Sequence, residues 1–132
     1  MEQQKNKEKI FSAGTLIFVA CWAAYCASYL GRINYTAALT AIVADGVFSK
    51  SHAGFIGTVY FFCYGAGQIF SGILGDRVSP YKMVGTGLVG TVCANILMPL
   101  CSGSYIVMSV VWGLNGIVQS MLWLSLIHIS EP

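Results

Sequence analysis

Between Lys50 and Glu131, Asp, Glu, Lys and Arg occur in one place only, the stretch Gly72-Ile73-Leu74-Gly75-Asp76-Arg77-Val78-Ser79-Pro80-Tyr81-Lys82. Apolar runs of roughly 20 residues flank it, which is the length an α-helix needs to cross the hydrocarbon core of a bilayer. A short charged stretch between two such runs is a tight turn between membrane helices. The chain is 9% charged, against about 25% in soluble domains, and its mean hydropathy is +0.70, so the class is a polytopic all-α membrane protein. Asp76 and Arg77 are adjacent and cannot share a helical face; the physical work open to them is to cap and anchor helix ends at the membrane surface.

The basic residues speak to topology rather than to nucleic acid, since they are scattered and not patched. Lys5, Lys7 and Lys9 precede the first apolar run, and Arg77 and Lys82 lie two helices later, on the same side; the positive-inside rule makes that side cytoplasmic. Asp45, Lys50 and His52 fall on the opposite side. Met1 to Lys9 reads as a polar cytoplasmic tail, extending to about residue 13. The run from Ile10 to Leu30 exceeds the 7–15 residues of a signal-peptide core, so it is expected to remain as a first helix. The four helices are expected over about 14–44, 53–75, 83–101 and 104–123. The five cysteines lie nearly all in apolar runs, with no Cys-x-x-Cys or Cys/His ligand spacing, so packing is expected rather than a disulfide or a metal.

In helix one, Trp22, Tyr25, Tyr29, Arg32 and Thr36 recur at intervals of three and four and form one stripe. Two readings stand. Either Arg32 lies at the outer surface and snorkels, or the helix is long and tilted and Arg32 sits inside the bilayer on the wall of a polar cavity. Helical spacing favours the second. A charge at mid-bilayer costs about 2.5–3.5 kcal/mol on insertion scales, which argues for function.

In helix two, Tyr60, Tyr64 and Gln68 share a face, either lining the cavity or hydrogen-bonding another helix, and Gly65 and Gly67 permit close approach by a neighbour. Ser49 or Ser51 is its expected N-cap. Helix three carries no ionisable group; Thr86, Gly90 and Ala94 make a small-residue ridge for packing, with no site. In helix four, Asn115 and Gln119 lie one turn apart and either reach the cavity or join helices. No nucleophile, carboxylate pair or metal constellation appears, so an enzyme is not expected and no cofactor is implied.

Two stretches carry a resemblance. Gly72-x-Leu74-x-Asp76-Arg77, with Lys82 following, is similar to the loop between helices two and three of the major facilitator superfamily, although the usual Gly and paired basic residues are replaced by Ser79, Pro80 and one lysine. Tyr29-Leu30-Gly31-Arg32-Ile33-Asn34-Tyr35, with its Arg-x-Asn core, and the helix-four stretch with Gly116 and Gln119, resemble the organophosphate:phosphate antiporter family within that superfamily.

The resemblance spans about residues 15–123. It implies the first four helices of a twelve-helix fold in the cell membrane, the rest belonging to a missing carboxy-terminal part. It also implies exchange of glycerol phosphate or hexose phosphate for inorganic phosphate, with no nucleic-acid partner. Arg32 would then grip the phosphoryl group, which suits its planar, permanently charged fork. The family's phosphate-ester carriers place a lysine where this chain has Gln68, a departure that removes one positive charge. A sensor of an external phosphorylated ligand is the alternative, as some relatives signal without meaningful flux; a small four-helix adaptor is a third. From about Leu124 the chain, ending Ser125-Leu126-Ile127-His128-Ile129-Ser130-Glu131-Pro132, resembles a peptide made when sequencing-adaptor DNA is read as protein, so residues 124–132 are expected to be foreign and to carry no role.

Overall fold

The computed structural model describes residues 2–130, and the side chains of 12–127 and 129. Four helices follow one another: α1 Glu2–Ala44, α2 Lys50–Gly75, α3 Pro80–Leu100 and α4 Tyr105–Ser130. Each contains a stretch long and apolar enough to cross a membrane: Ser12–Ala44, Lys50–Gly75, Pro80–Leu100 and Tyr105–Ile127. The connections are short, so successive helices run antiparallel and the charged turn lies at the end opposite the loop at 45–49.

The helix ends follow from local chemistry. Gly46 ends α1 in the left-handed region (φ +68°), which a residue without Cβ enters freely. Its N–H donates to the Val43 carbonyl (3.2 Å) and that of Val47 to Ile42 (3.1 Å), the paired closure of a Schellman motif. Ser49 caps α2, its Oγ accepting from the His52 N–H at 3.3 Å, so α2 starts at Lys50, ahead of the expected Ala53. Pro80 opens α3, also earlier than expected, because proline's missing N–H costs nothing in a first turn. Asp76 caps the carboxy end of α2 through its backbone.

Both ends of the described chain are helical. Residues 2–13 continue α1 rather than forming an irregular tail; Glu, Gln and Lys are good helix formers and nothing there breaks the helix. Helix four runs through Ser130, with Ser125 and Leu126 buried. Met1, Glu131 and Pro132 lie outside the described residues.

Helix α4 is the centre of the bundle. Against α2 it presents Ser109, Gly113, Gly116 and Ser120, small residues spaced four, three and four apart, the pattern that lets membrane helices touch backbone to backbone. A Cβ at Gly116 would meet the Tyr60 carbonyl oxygen at 2.6 Å and the Tyr64 nitrogen at 3.1 Å. The Ser71 and Ser120 hydroxyls hydrogen-bond across the same seam at 3.1 Å. Against α3, a Cβ at Gly87 would meet the Val118 carbonyl oxygen at 2.9 Å. The buried face of α3 is therefore Met83, Gly87, Thr91, Ala94 and Met98, turned from the expected Thr86–Gly90–Ala94 ridge. Gly90 and Ala94 do contribute, but Thr86 faces outward and bonds the Lys82 carbonyl.

Helix α1 is attached differently. Only Gly31 and Tyr35 are buried among its described residues. Tyr35 reaches the apolar core formed with Ile56, Tyr60, Met98, Met108 and Trp112, and donates to the Ala53 carbonyl at 2.6 Å.

Candidate functional site

Arg32 sits on α1 against the middle of α2. Its guanidinium carbon lies 5.6, 5.4 and 5.3 Å from the ring centroids of Tyr60, Phe61 and Tyr64, three residues halfway along a membrane-length helix. A cation over aromatic faces is stabilised by the ring quadrupoles, and more so where water is scarce. Between Lys9 and Glu131 the only carboxylates are Asp45 and Asp76, both in turns. No spanning segment therefore carries a counter-charge for Arg32. Its fork of N–H donors makes no hydrogen bond or ion pair among the described residues, so it is available to an acceptor from outside.

Beside it opens a cavity of about 170 Å³ lined by Tyr25, Ser28, Tyr29, Arg32, Tyr64, Gln119, Trp123 and two leucines. Tyr25 packs on Tyr29 (centroids 4.9 Å apart) and on Trp123 (5.5 Å), while Tyr60 and Tyr64 stack at 6.1 Å. Gln119, 3% exposed, ties the wall together: its Oε1 accepts from the Tyr60 hydroxyl at 2.9 Å and its Nε2 donates to the Ser28 carbonyl at 3.3 Å. The arrangement can bind and orient an anion; it holds nothing that would make or break a covalent bond.

Of the residues singled out in the sequence, Arg32, Tyr25, Tyr29, Tyr64 and Gln119 meet in this cavity. Tyr60 stands behind it, and Thr36 faces a second cleft between α1 and α2 that Arg32 and Tyr60 also border. Three residues sit elsewhere. Trp22 is 62% exposed, and Gln68 is exposed and lines none of these cavities. Asn115 lies wholly inside the bundle, with neither amide atom partnered. Gly72 is half-buried beside Leu124, while Asp76, Arg77 and Lys82 are exposed and form no ion pair with one another. Trp123 and Ser28 were not anticipated. Trp123 follows Gln119 by one turn, a signal the sequence did hold. Among the described residues no group of His, Cys, Asp and Glu is placed to hold a metal.

The model of the Major Facilitator Superfamily matches residues 21–130. A probable hexose phosphate transport protein of Chlamydia pneumoniae is 31% identical over 122 residues, 92% of this chain and 27% of its own length. The membrane sensor protein UhpC of Escherichia coli K12 is 35% identical over 103 residues, 78% of this chain and 23% of its own. The glycerol-3-phosphate transporter of Bacillus subtilis is 30% identical over 110 residues, 81% and 24% respectively. The chain thus spans about a quarter of the length of the curated relatives it matches, and these relatives are transporters or sensors rather than enzymes. No solved structure matches significantly. Four membrane-length helices and a family match over most of the sequence agree: the chain belongs to the Major Facilitator Superfamily.

Proposed function

We propose that this chain is the amino-terminal part of a twelve-helix secondary transporter. It would carry an organic phosphate, a sugar phosphate or glycerol phosphate, in exchange for inorganic phosphate by alternating access. In such folds the substrate binds near the bilayer midplane between two halves that rock about it. The observation that carries the reading is Arg32: a mid-depth guanidinium with its donors unspent and no carboxylate in any span. Tyr25, Tyr29, Tyr64 and Gln119 form the surrounding wall, and the remaining helices supply the opposite one. The amino terminus and the Asp76 turn face the cytoplasm of a cell membrane in this reading, from the basic residues on that side.

The test is binding of inorganic phosphate to the purified full-length protein. Arg32→Lys keeps the charge but loses the bidentate fork; losing one charge-assisted hydrogen bond, about 1.5–3 kcal/mol, weakens binding at least tenfold. Unchanged affinity in a folded Arg32→Lys protein removes Arg32 from the site. A sensor is the second reading, favoured by the 35% identity to UhpC. Exchange of labelled phosphate in proteoliposomes separates the two: binding without exchange identifies a sensor.

A further inference from the structure

The geometry points to Asn95 as a positioning residue for Arg32: its side-chain amide fixes the rotation of α1 that turns the guanidinium toward the tyrosines of α2. This rests on the anion-site reading of Arg32 and deepens it.

Asn95 is on α3, and its amide is fully used at the contact with α1. Nδ2 donates to the Gly31 carbonyl at 3.0 Å and to the Thr91 carbonyl of its own helix at 2.9 Å. Oδ1 accepts from Asn34 Nδ2 at 3.0 Å. Two points of α1, three residues apart, are thus held by one side chain whose base is braced on α3. The close approach is possible because residue 31 is glycine. A Cβ there would collide with the Thr91 methyl group and stand 3.4 Å from Asn95 Nδ2.

Arg32 follows Gly31 and so projects about 100° further round α1, away from α3. It meets Tyr60, Phe61 and Tyr64. Rotating α1 by even a fraction of that angle would carry the guanidinium off the rings. What resists rotation near Arg32 is short. Tyr35, with Leu39 and Ile42, supplies the apolar anchor, Tyr25 packs on Trp123, Gln119 takes the Ser28 carbonyl, and Asn95 takes both Gly31 and Asn34. Large apolar side chains of α1 such as Leu30 and Ile33 face outward, 69% and 51% exposed, and pack on nothing that would hold the angle. The Gly31-Arg32-Ile33-Asn34 stretch therefore has a division of labour: Gly31 and Asn34 receive the clamp, and Arg32 uses the orientation it sets.

The experiment compares Asn95→Leu, Arg32→Lys and the double variant in the full-length protein, reading inorganic phosphate affinity beside thermal stability in detergent. Asn95→Leu is expected to weaken phosphate binding about five- to tenfold. Arg32→Lys in the Asn95→Leu background should weaken it little more than either change alone, because both act on one guanidinium. Fully additive losses, or unchanged affinity in Asn95→Leu, overturn the assignment and leave Asn95 as packing. A ligand-independent measurement keeps the test decisive if phosphate does not bind at all, an outcome that would instead overturn the anion-site reading. In a protein stripped of native cysteines, Arg32→Cys should react with a soluble thiol reagent at a rate that Asn95→Leu changes several-fold; an unchanged rate overturns the clamp.

Discussion

Helix α4 meets α2 and α1 on opposite terms. Against α2 it offers small residues that let the backbones touch, with Trp112 on Tyr60 and Tyr105 on His52 packed beside the seam, so dispersion and close fit hold the pair. Against α1 it offers Trp112, Gln119 and Trp123, and the helices meet through polar tips and two aromatic contacts, Tyr35 on Trp112 at 5.4 Å and Tyr25 on Trp123 at 5.5 Å. A backbone seam is either formed or forced apart. A contact made through side-chain hydrogen bonds can shift by a rotamer at modest cost, since such bonds in membranes average about 0.6 kcal/mol. The rigid pair forms the frame, and the adjustable helix carries the charge.

The comparison breaks most visibly at the seam. Gly116→Ala places a methyl group against the α2 backbone and is expected to destabilise the protein by about 1–3 kcal/mol, toward the upper end because a backbone must move. Gly113→Ala should cost less, since what it meets are the side chains of Val59 and Cys63 at 3.1 Å, which can turn aside. Thermal unfolding in detergent measures both; equal losses would mean the seam is no tighter at Gly116 than elsewhere. Next comes Tyr60→Phe, which leaves the seam intact and removes the hydroxyl bonded to Gln119. It should cost about 0.5–1.5 kcal/mol by the same melt and also weaken phosphate binding. A variant that changed stability without affinity would show that Gln119 does not need Tyr60 to shape the cavity. Smallest is Gln68→Lys. The residue is exposed and borders none of the cavities, so stability should hold within about 0.5 kcal/mol. Phosphate affinity should be unchanged or tighter; if the natural substrate carries less negative charge, the added lysine should instead harm its uptake.

How much of this was legible in the sequence varied with the physics behind each feature. The number of helices and the position of the charged turn were plain, because bilayer thickness dictates the length of an apolar run. The face each helix presents was harder to read. A span apolar all round shows which residues share a side, but not which side meets a neighbour, and so the ridge on α3 was read one residue away from Gly87 and Thr91. Gln68 illustrates a second limit. Steps of four residues overshoot a helical turn by about 40°, so Gln68 is turned by about 80° from Tyr60 and leaves the face the two were expected to share. Arg32 stood out because a charge inside a span is costly, whereas Asn95 carries no charge, and only its hydrogen-bond partners draw attention to it.

The aromatic partners of Arg32 all lie on the next helix, about thirty residues further along the chain. During synthesis α1 leaves the ribosome first, so the arginine enters the translocation channel before Tyr60, Phe61 and Tyr64 have been made. Its insertion cost then falls on α1 alone. Leu, Ile, Phe and Val each return about 0.3–0.6 kcal/mol at the centre of a span, so on the order of six to ten of them are needed to carry one arginine across. The outward-facing Leu16, Ile17, Phe18, Val19, Leu30 and Ile33, which contribute little to the finished bundle, have their use at that earlier moment.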